Sequence, residues 1–182
     1  MDARKKISRG ATAARLRFLS ALLAVCSAAL FSAFVPSAIF LRGLAGRAFA
    51  AACFLGGTGL LAWCLFFVVM LVSMMKRAGR YAFAVTESAQ YECFGPFLAM
   101  NVRFFDGAGR AREGRSRFVF GIRDAEAWQN VPLEIAYLPG DGEAAGDGKS
   151  GKKGKPDVQP NALVVVLGAA PKGKISAEKG EK

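Results

Sequence analysis

Residues 48–75, AFAAACFLGGTGLLAWCLFFVVMLVSMM, form a stretch without a single charge that ends directly before Lys76 and Arg77. At about 1.5 Å per residue, a helix of this length reaches about 42 Å, which exceeds the roughly 30 Å hydrocarbon core of a bilayer. The stretch therefore predicts a transmembrane helix that is tilted or has its ends among the lipid headgroups.

A second uncharged stretch, FLSALLAVCSAALFSAFVPSAIFL, covers residues 18–41 and predicts a first transmembrane helix. The alternative is a cleaved signal peptide, which has an apolar region of about 7 to 15 residues and a small-x-small cleavage site. This stretch is longer, and it carries Phe31, Phe34 and Pro36 where such a site would lie. A membrane hairpin is favoured, and cleavage stays open as the alternative.

The charge distribution predicts how the hairpin is oriented. Residues 1–17 carry six basic side chains and one acidic one, the 42–47 loop carries two basic ones, and Lys76, Arg77 and Arg80 follow the second stretch. These account for ten of the eleven net positive charges. Because cytoplasmic flanks are enriched in Lys and Arg, both termini are predicted to be cytoplasmic, and residues 1–17 form a basic cytoplasmic tail near anionic lipid. The excess charge indicates topology and not nucleic-acid binding.

Small side chains indicate how the two helices pack. They recur at every fourth position of the first stretch and in one pair of the second, which places them on one helix face, although alanine-rich helices also show such spacing by chance. The predicted seam consists of Ser20, Ala24, Ala28 and Ser32 against Ala52 and Gly56.

Residues 81–168 change to short alternating runs separated by turn sequences, which predicts a small, mainly β domain with an antiparallel sheet, sandwich-like or barrel-like. Strands are predicted at residues 81–85, 90–94, 98–105, 115–123, 131–138 and 162–167, with a turn at 106–109 and a helical turn at 124–129 capped by Asp124. The predicted core contains Leu98, Val102, Phe118, Phe120, Ile135 and Val165. Residues 140–155, with six glycines and seven charges, and residues 169–182 are predicted to be disordered.

The sequence contains no signature of catalysis. Histidine is absent, Cys93 is the only cysteine outside the apolar stretches, and the carboxylates are scattered, so no catalytic residue, cofactor or metal site is predicted. A series of arginines is the candidate for contact with lipid or a partner: Arg110, Arg112, Arg115, Arg117 and Arg123. The alternative is that they form ion pairs with Glu87, Glu92 and Glu113 on a solvated face.

Three segments carry a resemblance to a known family: NVRFFDGAGR at residues 101–110, VPLEIAYLP at 131–139 and QPNA at 159–162. Together they resemble the domain of unknown function 3592 (DUF3592) family of small bacterial membrane proteins, over residues 85–167. The resemblance implies a bacterial inner membrane and no particular activity. The chain departs from the family in the 140–155 insertion and in lacking a further apolar helix after the last strand.

These observations favour an uncharacterised, non-enzymatic interaction module that presents a β domain at the cytoplasmic face of the membrane. The expected partners are the lipid bilayer and a protein, with no nucleic acid, and the sequence indicates no oligomeric state. Two alternatives of the same anchored kind are a small-ligand or lipid-sensing domain and an accessory subunit of a membrane complex. A hydrolase or transferase is least favoured.

Overall fold

The computed structural model describes residues 2–40, 43–129, 131–139 and 162–170. The chain divides into two compact units, one of residues 14–76 and one that combines residues 1–13 with residues 77–182. The predicted disordered insertion at 140–155 lies outside the described residues, as does the predicted tail from residue 171 onward.

The first unit is a pair of long helices, α2 (Ala11–Phe40) and α3 (Leu44–Lys76), of which α2 begins in the other unit. With 30 and 33 residues, both are long enough and apolar enough to cross a membrane. The prediction of two long apolar helices is confirmed, and each helix begins several residues earlier than its uncharged stretch.

Polar and small side chains line the contact between α2 and α3. The buried Ser27 hydroxyl donates to the Gly57 carbonyl at 2.8 Å, and the Cys64 thiol donates to the Ser20 carbonyl at 3.2 Å. A Cβ atom at Gly57 would lie only 3.1 Å from the Phe31 ring. The glycine therefore provides the space that this aromatic side chain needs, as at other close helix contacts.

The predicted small-residue face of α2 is wrong, because Ala24, Ala28 and Ser32 are exposed. The contact face runs instead through Ser27 and the half-buried Leu30 and Phe31. Its physical basis is that large side chains of α2 fill the space above the glycines of α3, so two small faces are not needed.

The second unit contains a closed five-stranded barrel. The strands are β1 (Ala82–Phe94), β2 (Phe97–Phe105), β3 (Ala111–Arg115), β4 (Leu133–Tyr137) and β5 (Ala162–Ala169), in the order β1-β2-β3-β5-β4. Helix α4 (Ile122–Trp128) connects β3 to β4, and β3 runs parallel to β5. The predicted mainly β domain is confirmed in its barrel-like form.

Strand β1 closes the barrel because it pairs with two neighbours. Residues 82–85 pair with β4, and the register with β2 runs from Thr86 to Phe94 with a shift between Thr86 and Ser88. The Thr86 hydroxyl is buried and accepts the Leu133 amide of β4 at 2.9 Å. The two short runs predicted at 81–85 and 90–94 are thus one long strand that bends.

The barrel interior is filled by side chains. The inward face of β2 is buried as predicted, and the Phe104 ring lies 4.7 Å from the Tyr137 ring. Five of the six predicted core residues are buried, namely Leu98, Val102, Phe120, Ile135 and Val165. Phe118 is only half-buried, so its assignment to the core was wrong.

The predicted strand at 115–123 is wrong after its first residue, because β3 ends at Arg115. The Ser116 hydroxyl accepts the Met100 amide at 2.8 Å, and the chain then bends so that Phe120 pairs with Leu98. Alternation of side chains therefore does not continue past Ser116. Ile122, predicted to share the apolar face, is exposed.

Asp124 stabilises the start of α4 from inside the helix and not from its cap position. The N-cap residue is Gly121, and the carboxylate of Asp124 accepts the Gly121 amide at 2.7 Å. The predicted cap is therefore three residues too late. The carboxylate still satisfies an N-terminal amide, as acidic residues in the first helical turn commonly do.

The N-terminal residues 2–13, which we term the clasp, belong to the same unit as the barrel. Helix α1 (Ala3–Arg9) packs beside β5 and beside the 3₁₀ helix at Ala78–Arg80, and its Ile7 is completely buried. Lys6 pairs with Glu134 of β4 at 2.6 Å and lies 4.4 Å above the Phe83 ring. The basic segment predicted as a tail is thus helical over residues 3–9 and forms part of the second unit, which we term the β unit.

Gly10 and Thr12, which follow α1, attach the clasp to the edge of β5. The Thr12 hydroxyl donates to the Val166 carbonyl at 3.0 Å and accepts the Val166 amide at 2.9 Å. A Cβ atom at Gly10 would lie 2.7 Å from the Leu167 side chain, at the point where the β4–β5 register shifts. Because the clasp lies against β5, Val164, Val165 and Val166 are all buried, which explains the continuous apolar run of this strand.

Candidate functional site

Two of the five candidate arginines bind one buried carboxylate. The side chain of Asp106 is completely buried, and its Oδ2 lies 3.0 Å from Nε of Arg110 and 2.9 Å from Nε of Arg112. Its Oδ1 accepts the backbone amides of Ala108 and Arg110, both at 2.9 Å. These contacts fix the β2–β3 turn, and they hold Arg112, which is only 11% exposed, inside the domain.

Arg115 lies at the end of β3 and pairs with Glu92 of β1 at 2.7 Å. Its guanidinium stacks 4.7 Å from the Phe118 ring, which explains why that ring stays half-buried. The ion pair of Arg115 with Glu92 agrees with part of the alternative interpretation. Glu87 pairs instead with Arg103, which is outside the series, at 3.7 Å. Both pairs are well exposed and contribute little to stability.

The remaining two arginines lie elsewhere. Arg123 is exposed on α4, and Arg117 is half-buried near Tyr81. Burial lowers the pKa of Arg117, the phenol of Tyr81 counteracts this, and the nearby charge of Arg77 lowers it further. The series predicted as one contact surface therefore divides: Arg110 and Arg112 share Asp106, Arg115 pairs with Glu92, and Arg117 and Arg123 lie at two further places.

A polar groove of about 430 Å³ runs across the outer face of β1, β2 and β3. Two rows of directly opposed residues form its floor, and each row crosses all three strands. The rows are Gln90, Asn101 and Arg115, and Ser88, Arg103 and Glu113. Arg103 and Glu113 are directly opposed across β2 and β3, which places opposite charges beside each other on this face.

Sequence reasoning missed most of this groove. Only Arg115 belonged to the predicted series, and the alternation of Ser88, Gln90 and Glu92 was the signal that marked one polar face of β1. That signal identifies a solvated face, but the register between strands is needed to show which residues of β2 and β3 lie beside it. The groove carries both signs of charge, which suits a polar peptide better than a polyanion.

Two buried polar atoms lack a hydrogen-bond partner within the part of the chain that the structure describes, the Tyr91 hydroxyl and Nε of Arg115. Burial raises the pKa of Tyr91, and the carboxylate of Asp124 raises it further. Arg115 lines the groove, but its buried Nε is not accessible from it. Tyr91 is not among the groove residues.

Across the described ranges, no group of three or more Cys, Asp or Glu side chains is placed to hold a metal ion. Cys93 is exposed on β1, and the other three cysteines lie in α2 and α3. Comparison of the chain with protein-family models, with curated proteins and with solved structures finds no match. The resemblance to the domain of unknown function 3592 family therefore stays a prediction.

Proposed function

We propose that this protein is a membrane-anchored, non-enzymatic interaction module. In this proposal α2 and α3 cross the bilayer as a hairpin, and the barrel and clasp lie together on its cytoplasmic side. The observation that carries the proposal is the attachment of the clasp to the barrel, since the clasp precedes the first apolar helix and the barrel follows the second.

The attachment supports an even number of membrane crossings. Thr12 binds Val166 and Lys6 binds Glu134, which supports one common compartment for the residues on both sides of the helical pair. A single crossing would separate them, and signal cleavage within residues 18–41 would release the clasp from the anchored chain. Both contacts therefore favour an uncleaved hairpin.

The cytoplasmic side is favoured by the flanking charges. Six basic residues precede the first apolar stretch and three follow the second, against two in the connecting loop. The family resemblance adds the inner membrane of a bacterium to this proposal. Multi-pass topology, orientation and membrane type thus rest on separate arguments and can fail separately.

The proposed partner is a protein segment with polar side chains that binds the groove. The groove crosses the outer face of β1, β2 and β3, and polar side chains from all three strands line it. Phe104, Phe120 and Met100 fill the barrel interior, which favours binding on this outer face over an enclosed ligand. Arg103 and Glu113, which are neighbours, offer one positive and one negative charge to a partner segment that itself carries charges of both signs.

The orientation can be tested with the cysteines that the chain already has. In a variant with Cys26→Ala, Cys53→Ala and Cys64→Ala, exposed Cys93 is the single thiol. A membrane-impermeant maleimide should modify it in inverted vesicles and not in intact cells. With Cys93→Ala and Ala45→Cys added, the pattern should reverse. Modification of Cys93 in intact cells would contradict cytoplasmic placement.

The groove can be tested by site-specific photocrosslinking in native membranes. A photoreactive residue at Gln90 should give an adduct of defined mass, whereas the same residue at exposed Glu126 on α4 serves as the matched control. The adduct should disappear on Arg103→Glu, because this reverses the charge at the centre of one row. Equal adducts from both positions would contradict partner binding at the groove.

A further inference from the structure

Six basic residues of the β unit lie near the point where the chain passes into α2 and the point where it leaves α3. Helix α1 of the clasp packs beside the 3₁₀ helix, so basic residues that precede α2 and basic residues that follow α3 come together. Five of them are exposed and Arg117 is half-buried. We term Arg4, Lys5, Arg9, Arg77, Arg80 and Arg117 the juxtamembrane cluster.

Carboxylates do not balance the cluster locally. Asp2 is the only acidic residue within residues 2–13 and 77–81, and it caps α1 by accepting the Arg4 amide at 3.2 Å. Glu134, which approaches the clasp from β4, pairs with Lys6 at 2.6 Å. The cluster therefore presents a surface with a large excess of positive charge.

The surroundings of Arg117 indicate that this surface can bind an anion. It is half-buried beside the Tyr81 phenol and the Arg77 guanidinium, of which only the guanidinium is charged at neutral pH. Burial, which Arg117 and Arg77 counteract only in part, also raises the pKa of Tyr81. Two cations close together, one of them partly desolvated, are unfavourable alone and become favourable when a phosphate group binds between them.

We propose that the juxtamembrane cluster binds the phosphate groups of anionic lipid headgroups. This inference rests on the proposed membrane anchoring, which brings the residues that directly follow Ala13 and precede Arg77 to the bilayer. Nucleic acid is disfavoured because single strands bind by stacking on exposed aromatic platforms. Residues 2–13 and 77–81 contain only Tyr81, which is buried, and Lys6 lies over the neighbouring Phe83 ring. The proposed lipid contact thus moves to the clasp and the 3₁₀ helix, and of the arginine series predicted from the sequence it keeps only Arg117.

The test uses the full chain in neutral detergent, titrated with dihexanoyl phosphatidylglycerol and, in parallel, with dihexanoyl phosphatidylcholine. Retained lipids are counted by native mass spectrometry. The Arg77→Gln/Arg117→Gln variant should lose about 30-fold in affinity for phosphatidylglycerol, the effect of two cations at a membrane surface. Arg103→Gln/Arg110→Gln, which removes the same charge from β2 and the β2–β3 turn, should change it less than about threefold.

Because Arg117 is half-buried, the exposed pair Arg4→Gln/Lys5→Gln provides a second variant that does not affect packing. It should weaken phosphatidylglycerol binding to a similar extent. An equal loss in the Arg103/Arg110 control would show that only total charge matters, which would overturn the proposal.

Two competitors distinguish the source of the phosphate. Displacement of phosphatidylglycerol by an equal concentration of inorganic phosphate would assign the cluster to a free anion, and tighter binding of a single-stranded oligonucleotide would assign it to nucleic acid. Either result overturns the lipid proposal. Alkaline carbonate extraction of native membranes reports anchoring independently, so release of the chain would defeat the proposed function without changing the lipid measurements.

Discussion

Replacing Thr12 by valine removes one hydroxyl and should destabilise the β unit strongly. Thr12 is buried, and its hydroxyl is the partner of both the amide and the carbonyl of Val166 at 2.9 and 3.0 Å. Valine has nearly the same shape as threonine but cannot form a hydrogen bond. Thr12→Val would therefore leave two buried backbone groups of β5 without a partner.

The size of the effect follows from those two groups. Each buried group without a partner costs about 1–3 kcal/mol, and burying a methyl in place of a hydroxyl recovers part of this. We expect a net loss of about 2–4 kcal/mol. For a domain of this size, that lowers the melting temperature by roughly 10–25 °C. Thr12→Ser keeps the hydroxyl and should cost only about 1 kcal/mol for the lost methyl.

The assay follows unfolding of the full chain in detergent through Trp128. The chain has two tryptophans, so Trp63→Phe leaves Trp128, which packs edge-on against Phe120 at 5.4 Å, as the single reporter for the barrel. Hydrogen exchange of the Val166 amide should accelerate in the valine variant alone. If the unfolding free energies of the valine and serine variants differed by less than about 0.5 kcal/mol, the conclusion that the clasp completes β5 would be wrong.

Three further changes test separate parts of the β unit. Gly10→Ala should cost about 1–3 kcal/mol because its Cβ would clash with Leu167, while Gly107→Ala, with open space around it, should be nearly neutral in the same melting assay. Asp106→Asn should cost about 2–4 kcal/mol, since it removes the buried charge that two arginines share, and an unchanged melting temperature would contradict this role. Burial raises the pKa of Tyr81 above 10.0, so its phenol stays protonated to higher pH in the folded state than in the unfolded state. The free energy of unfolding should therefore be constant below about pH 10 and should fall at higher pH, and this fall should be less steep in Tyr81→Phe.

The sequence was sufficient for the parts of the fold that local pattern determines. Uncharged length identified α2 and α3, and alternation identified β2 together with its buried face from Leu98 to Phe104. Pattern failed where one contact overrides it. The bend at Ser116, which moves Phe118 outward and Phe120 inward, depends on a hydrogen bond to Met100 that no local rule predicts.

The candidate site was harder to predict because its residues meet only through pairing between strands. Arg110 and Arg112 looked like a free basic face, yet both follow the turn that begins at Asp106, which brings both onto its carboxylate. The role of the clasp was equally hidden, because Thr12 and Val166 are separated by most of the chain. A basic segment before an apolar helix indicates topology, and nothing in its composition shows that it also packs on a strand.

The clasp also changes what is expected of the barrel in isolation. A fragment that begins at Arg77 keeps all five strands but loses the Thr12 hydroxyl, the Lys6 partner of Glu134 and the buried Ile7. Losing the buried Ile7 alone lowers the free energy of unfolding by about 1.5–3 kcal/mol and exposes the apolar face of β5. Since small domains have only about 5–15 kcal/mol of stability, this fragment should melt far below the full chain or associate.

Joining residues 2–13 to the fragment's C-terminal or N-terminal end through a flexible glycine–serine linker should restore cooperative melting, because linked binding occurs at a high effective concentration. The matched control carries Thr12→Val in the joined segment and should recover much less. Circular dichroism and Trp128 fluorescence would report both outcomes. A fragment that melted cooperatively at the temperature of the joined form would show that the barrel does not need the clasp, and the contacts at β5 would then support only a shared location and not a shared fold.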